Sequence, residues 1–333
     1  MIQTRTTLAE MSKALDLSIS TVSKSLSGSS EISLPTQTRV RNFAKSCNYI
    51  PNNFASSLRK GYTNTIGLVV PSILNPFYAK VFAGIENYLD EHNYKLITAI
   101  SNESIEKESN SLRKMAGGYV DGIIICVSKE TELTNTYDHI NALTNRGTPL
   151  VLFDRICEMI DCDKVIIDDY QTTYDTADYL IKTKGLKNII MTSLIDNFHH
   201  GKLRADGFKA AMRANNFPTE NKIIVAETSE ALKSKLISIL EKDNTIDGVF
   251  GLNEQAVLQT LQVTNQLKSH SKDQDITIAG FCNPSQASYY PSLIIVEQNA
   301  AAIGAAAAKL ILRRIKNTQI QPFQTKMIAT DLV

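Results

Sequence analysis

The sequence predicts an α/β protein: an N-terminal helix-turn-helix headpiece followed by two doubly wound α/β subdomains. Residues 7 to 47 carry three short amphipathic helical stripes. From Thr65 onward, β-branched apolar runs alternate with helical stretches of roughly 10–18 residues, the pattern of parallel sheets covered on both faces. Charge divides the chain at the same place. The 333 residues hold 35 Lys+Arg and 34 Asp+Glu, a net charge of +1. Residues 1 to 62, however, hold eight basic and three acidic side chains, a charge of +5 that leaves −4 for the remainder. A basic head on a mildly acidic body points to a polyanionic partner for the head.

Composition narrows the class. At 43% hydrophobic and 21% charged, the chain has the makeup of a soluble multidomain protein and not of a disordered or collagenous one. The five cysteines, Cys47, Cys126, Cys157, Cys162 and Cys282, are odd in number and form no CxxC pair. Neither a disulfide framework nor a metal site is expected from them. The first residues lack a basic stretch followed by an apolar run, and no segment approaches the roughly 18 apolar residues of a membrane span. No secretory signal, no membrane partner and a cytoplasmic location are therefore expected.

In the head, Thr7 is placed to cap a first helix with Glu10 three residues on, the spacing of a capping box, and Leu8, Met11, Ala14 and Leu15 form its stripe. After Asp16-Leu17, Ser18 caps a second helix, SISTVSKSL, with Val22 and Leu26 inward. A third runs roughly from Pro35 to Cys47 with Val40, Phe43 and Ala44 inside. Two short helices joined by a tight turn make a helix-turn-helix. The helices alone leave an ordinary three-helix bundle equally open.

Beyond the head come IGLVV, a helix from Phe77 to His92, YKLITAI, a helix to Ala116, DGIIICV and PLVLF. The rhythm resumes with KVIID, a helix from Asp169 to Lys184, KNIIM, a helix near 203 to 215, KIIVA, a helix from Ser229 to Lys242, DGVFGL, a helix to about 267, and ITIAGF. So many βα steps suit two doubly wound subdomains better than one oversized sheet. Ligands of such folds bind at the carboxyl ends of the strands, so candidate residues lie just after each apolar run.

The ordered series TLAEMSKALDLSISTVSKSLSG, YIPNNFASSLRKG and IGLVVPSILNPF resembles the LacI/GalR (lactose-repressor) family of transcription regulators. Weaker echoes follow in VDGIIICVS, LVLFDR, RADGFKAAM, GFCN and SLIIVEQ, so the likeness runs from Thr7 to about Ala329. The resemblance implies a DNA-binding head at 1–50, a hinge at 51–62, and a periplasmic-binding-protein-like, effector-binding core at 63–333. The core would divide into an N-subdomain at about 63–164 and 299–333 and a C-subdomain at about 165–298, with a late helix from Asn299 to Lys316 packing back on the first sheet. It also implies a cytoplasmic homodimer, a repressor or alternatively an activator of the same family, on a pseudo-palindromic double-stranded DNA operator, with no cofactor and no catalytic residues. The effector would be a small molecule of sugar type bound between the subdomains.

Carried over by position, Ile19, Ser20 and Lys24 would read bases, while Thr7, Leu8, Ser18, Thr21 and Ser23, with Ser33, Thr36 and Asn52, would hold the DNA backbone. Ile19 suits a thymine methyl and Lys24 a guanine edge, a set poor in bidentate donors that leaves much to DNA shape. Leu58 would wedge into the minor groove beside its partner's copy, with Ala55 allowing close approach. Asp16 stands where the family commonly has a turn glycine, and Ser12 where it has alanine.

In the core, Asn75, Phe77, Asp154, Arg155, Arg204, Asn253, Cys282 and Gln298 map to effector-contacting positions, with Tyr78, His199 and His200 adjacent. Phe77 offers a flat apolar face and Arg204 a bidentate fork for hydroxyls or a carboxylate. Cys282 replaces the usual aspartate after the GF dipeptide, and Cys126 stands at the matching place after DGIII.

Two rivals remain at this level. A nucleotide-type enzyme is disfavoured by the lack of GxGxxG, P-loop and GxSxG motifs. A periplasmic solute-binding protein with the same core is disfavoured by the basic head.

Overall fold

The computed structural model describes residues 6–49, 62–268, 276–317 and 322–333. The chain divides into two units, Met1–Thr63 and Asn64–Val333.

The first unit contains helices α1 (Leu8–Leu15), α2 (Ile19–Leu26) and α3 (Leu34–Ser46). The capping box at α1 is formed in both directions: the Glu10 amide donates to Thr7 Oγ1 at 3.2 Å and the Thr7 amide donates to Glu10 Oε2 at 2.7 Å. The helix stops because Asp16 turns into the left-handed region at φ 50 and ψ 49, which a short polar side chain tolerates. Across that turn Ser12 Oγ donates to the Leu17 carbonyl at 2.5 Å. The two departures from the family pattern thus act on one turn, Asp16 by adopting its shape and Ser12 by tying its far side. Met11, Leu15, Val22, Val40 and Ala44 form the core of this unit, with Leu8, Leu17, Leu26, Phe43 and Tyr49 packed against it. Ala14, expected on the same stripe, is exposed. Buried Gln37 donates to the Ser29 and Ile32 carbonyls at 2.9 and 2.8 Å, pinning the loop between α2 and α3.

The second unit is built on two six-stranded sheets. The first contains β1 (Thr65–Val70), β2 (Lys95–Ile100), β3 (Gly122–Ile125), β4 (Leu150–Phe153) and β5 (Asp163–Ile166). Helices α4 (Pro76–Glu91), α5 (Ile105–Met115), α6 (Lys129–Thr134) and α7 (Asp138–Thr144) connect its strands. From β5 the chain passes into α8 (Asp169–Lys182), β6 (Ile189–Ser193), α9 (His199–Ala214), β7 (Ile223–Val225), α10 (Ser229–Lys242), β8 (Gly248–Gly251), α11 (Glu254–Lys268), β9 (Thr277–Phe281) and β10 (Ile294–Glu297). It returns through α12 (Ala300–Lys316) to β11 (Thr325–Met327), which pairs in parallel with β5, and ends in β12 (Asp331–Leu332), which pairs antiparallel with β10.

The strand orders are β11-β5-β4-β3-β1-β2 and β12-β10-β9-β8-β6-β7. In each sheet the order reverses direction beside the first strand, between β1 and β3 and between β6 and β8, which is where a doubly wound sheet opens a crevice. β1, β3 and β4 are buried along their whole length, which explains their unbroken apolar runs.

Helix packing depends on close backbone approach. A Cβ on Gly84 would lie 2.0 Å from the Ala301 carbonyl oxygen and one on Gly304 2.1 Å from that of Val81, so α4 and α12 meet through their glycines. Arg314 on α12 clamps Asp163 at the start of β5 with Nε–Oδ2 and Nη2–Oδ1 distances of 3.0 and 2.9 Å, both side chains being buried. Buried Glu108 accepts the Ser128 amide, the Thr131 hydroxyl and His139 Nε2 at 2.5, 2.6 and 2.7 Å, gathering α5, α6 and α7 around the end of β3.

Four features depart from the sequence expectation. The KVIID run belongs to the first sheet as β5 and does not open the second. The helices α6 and α7 and the short strands β11 and β12 were not anticipated. The helix expected near 203 begins at His199.

Candidate functional site

On α2 the residues at 19, 20, 23 and 24 share one side of the helix, opposite buried Val22 and Ser25. Ile19 is 52% exposed although it is large and apolar, and Ser20 is exposed beside it. Ser18 caps the helix by accepting the Thr21 amide at 3.0 Å, and the two hydroxyls lie 2.8 Å apart. Lys24 is paired with Glu31 in the following loop. The Ser33 and Thr36 hydroxyls lie 2.9 Å apart at the exposed start of α3. Thr7 is held in its capping box, and Leu8 is half-buried against the core. Asn52, Ala55 and Leu58 lie outside the described residues.

In the second unit, a cleft of about 370 Å³ lies at the carboxyl ends of the strands of both sheets, a volume in the range of small-molecule sites. Asn75, Phe77, Asp154, Arg155, Arg204, Asn253 and Gln298 all line it. Asn75 caps α4 by accepting the Phe77 amide at 2.9 Å, which fixes the Phe77 ring at the cleft wall after β1. Asp154 follows β4 in the left-handed region at φ 62, a strained placement that aims its carboxylate at Tyr78 Oη, 3.4 Å away. Cys282 does not join this group. It is buried beside Glu254, Sγ to Oε1 3.7 Å, and lines a small pocket that adjoins the cleft and shares Phe77, Glu254 and Gln298 with it.

Each cleft arginine is already held by an acid. Arg155 forms a two-pronged pair with Glu103, Nη1–Oε2 2.6 Å and Nη2–Oε1 3.0 Å. Arg204, only 3% exposed, donates from Nε to Asp169 Oδ1 at 2.7 Å and from Nη1 to the Leu252 carbonyl at 2.5 Å, with its guanidinium carbon 3.6 Å from the centre of the Phe281 ring. These contacts occupy Nε and Nη1 and fix the guanidinium where Arg204 lines the cleft. Cys126 lies beneath the lining, 3.6 Å from both Tyr78 Oη and Asp154 Oδ2. Burial pushes the Tyr78 hydroxyl and the Cys126 thiol well above their ordinary values, so both remain protonated. Burial also raises the Asp154 carboxyl, opposed by the charges of Arg155 and Arg204.

His200 also lines the cleft, and burial, then the positive charges of Arg204 and Arg155, hold its imidazole well below the ordinary 6.5. Its Nδ1, the Asn253 Oδ1 and the Arg155 Nε are buried without a hydrogen-bond partner. A buried polar atom without a partner is costly, so the lining holds three polar atoms that gain from a hydroxylated ligand. The cleft therefore combines a flat apolar wall, a fixed guanidinium, a carboxylate and three unpaired polar atoms.

Sequence reasoning missed Glu254, Gln255 and Leu258 on α11, Leu74 before α4 and Pro76 at its start, Ile195 after β6, and Gln286. The α11 residues follow Asn253 directly, so the strand-end rule applied one turn further would have found them. Gln286 sits on a short 3-10 helix, Pro284–Ser288, with no local signal of a role.

Two three-layer α/β subdomains around one cleft, joined to a three-helix head, define a solute-binding core attached to a DNA-binding module. The family model described as periplasmic binding proteins and sugar binding domain of LacI family matches residues 63–329. Catabolite control protein A of Priestia megaterium is 28% identical over 312 residues, 92% of each chain. The crystal structure of a LacI-family regulator from Enterococcus faecium with bound ribose superposes with a TM-score of 0.68 at 25% identity, covering 81% of this chain and 96% of that one. The lac repressor dimer bound to operator and an anti-inducer shares the fold at a TM-score of 0.84 and 17% identity, covering 99% and 98%. The chain belongs to the LacI family, and it is a DNA-binding transcriptional regulator, not an enzyme. None of the described helices is long and apolar enough to cross a membrane.

Proposed function

We propose that the protein is a cytoplasmic homodimeric repressor that binds a pseudo-palindromic operator and responds to a neutral sugar in the core cleft. The reading divides the chain into a DNA-binding head at 1–50, a hinge at 51–62 and an effector core at 63–333. The observation that carries it is the cleft itself, where Phe77, Asp154, Arg204, Asn253 and Gln298 together line a space of about 370 Å³. Sugars present an apolar ring face and a rim of hydroxyls, which is the complement of that lining. The Enterococcus faecium relative with ribose in its structure supports the class.

On the DNA side, Ile19, Ser20 and Lys24 read base edges. Ser18, Thr21 and Ser23, with Thr7, Leu8, Ser33, Thr36 and Asn52, contact phosphates, and Leu58 enters the minor groove, Ala55 allowing close approach. Sugar binding favours one placement of the subdomains and so changes operator affinity by linkage. The test selects an operator in vitro with the full-length protein and then titrates sugars into the complex. Recovery of a two-fold sequence whose binding shifts with one sugar supports the reading. A selected site without two-fold symmetry, or binding indifferent to a broad panel of sugars, removes it.

A further inference from the structure

The first turn of α9 is capped from the other subdomain. Its N-cap residue, Phe198, has no side-chain acceptor and makes no capping bond. Glu132 of α6, which belongs to the first subdomain, supplies the missing acceptor: the His199 amide donates to its Oε1 at 2.7 Å. A carboxylate there also meets the positive end of the helix dipole. The Phe198 ring, 5% exposed, is held in the same place by first-subdomain cations, with the Arg155 guanidinium 4.6 Å and Lys129 Nζ 6.0 Å from its centre. The ring also stacks on His200, at 5.5 Å and 14°. Arg155 is itself fixed by Glu103. The second Glu132 oxygen is buried without a partner, so this carboxylate is committed to a desolvated place for a single bond.

One helical turn beyond His200 stands Arg204, the guanidinium offered to the cleft. We propose that Glu132 is a positioning residue for the effector site: by capping α9 from the other subdomain it sets the placement of His200 and Arg204 and holds the two subdomains in the ligand-ready arrangement. The proposal rests on reading the cleft as the effector site. Contact between Glu132 and the ligand is not required, since Glu132 does not line the cavity.

The experiment uses full-length protein carrying Glu132→Ala or Glu132→Gln. Hydrogen exchange of the segment 196–204, followed by mass spectrometry, needs no ligand. Loss of the cap is expected to speed exchange there by about tenfold in Glu132→Ala, with a smaller effect in Glu132→Gln, which keeps an acceptor. Exchange in α8 and α5 stays at the wild-type rate. Unchanged exchange at 196–204, or equal acceleration throughout α5, α6 and α8, overturns the proposal.

A second measurement titrates D-ribose and a panel of neutral pentoses and hexoses by thermal shift. For any sugar the wild type binds, Glu132→Ala is expected to bind about tenfold more weakly and Glu132→Gln less so. Equal affinity of Glu132→Ala and wild type overturns the positioning role while leaving the sugar reading intact. If no sugar shifts the wild type, the sugar reading fails, and hydrogen exchange alone decides for or against the cap.

Discussion

Arg204 and Asp169 form an ion pair at 2.7 Å with their side chains 4% and 10% exposed, joining the cleft-lining helix α9 to the first residue of α8. The pair does two things at once. It neutralises a buried guanidinium, and it fixes the plane of that group in the cleft lining, because the Asp169 carboxylate holds Nε while the Leu252 carbonyl holds Nη1.

Removing one partner should therefore cost more than removing both. Arg204→Ala leaves Asp169 buried alone, a loss of about 3 kcal/mol by the usual range for broken buried pairs. Burial already pushes the Asp169 carboxyl above its ordinary value, and without Arg204 it rises further. A raised carboxyl binds its proton more tightly folded than unfolded, so stability falls as pH rises through the folded value. The deficit of Arg204→Ala in urea melts should be larger at pH 8 than at pH 5. The double variant Arg204→Ala/Asp169→Ala should be less sensitive to pH, and parallel curves for the two would refute the coupling.

His200 has the opposite sign. Burial and the neighbouring Arg204 and Arg155 charges hold its folded value well below 6.5, so between that value and 6.5 the unfolded chain binds the extra proton. Its contribution is fully present above pH 6.5 and is lost as pH falls, at up to about 1.4 kcal/mol per pH unit. Raised carboxyls such as Asp154 act in the other direction, so the measurement is the difference between wild type and His200→Asn. The variant should lose less stability than wild type between pH 7 and pH 5. A constant difference across that range would mean the imidazole is not desolvated.

The head offers a test on DNA. Lys24 pairs with exposed Glu31, and to reach a guanine edge it must leave that carboxylate. With an operator obtained by selection, Lys24→Ala should weaken binding and reduce the salt slope by about one counterion. Glu31→Gln should strengthen binding a few-fold, because it releases Lys24 and removes a charge that repels phosphate. Fluorescence anisotropy at stepped salt reads both, and an unchanged slope in Lys24→Ala would place that side chain away from the DNA.

These residues also indicate what a sequence can disclose. The sheets were legible because buried parallel strands leave unbroken apolar runs such as IGLVV and LVLF. Seven cleft residues were legible because both sheets present the ends of their strands to one crevice. Cys282 follows its strand by the same rule, yet its thiol packs against Glu254 and not into the cleft. Asp169 and Glu132 were illegible, since each acts on a residue 35 or 67 positions away and periodicity says nothing about such pairing. The early start of α9 was hidden for the same reason: its cap is not a neighbouring serine or aspartate but a glutamate of the other subdomain. KVIID carries no mark of which sheet it joins, and its place beside β4 is secured by Arg314 from the far end of the chain.

That last contact leads to a prediction about how the returning chain is held. Asp163 accepts two guanidinium bonds from Arg314 and the Gln324 amide at 2.8 Å, so one fully buried carboxylate joins β5, α12 and the segment leading into β11. The backbones of α12 and α4 meet where Gly304 faces the Val81 carbonyl oxygen, leaving 2.1 Å for an added Cβ. A methyl group there must push the helices apart, and the shift would be felt at Arg314 ten residues along the same helix. Gly304→Ala should destabilise the core by about 1–3 kcal/mol, the usual cost of overpacking, even though alanine is the better helix former by about 1 kcal/mol. Arg314→Met should cost about 3 kcal/mol by stranding Asp163. Because both substitutions loosen the same seating of α12, their combined loss should be smaller than the sum of the single losses. Denaturant melts of the two single variants and the double variant measure that coupling, and strict additivity would show that the glycine contact and the ion pair hold α12 independently.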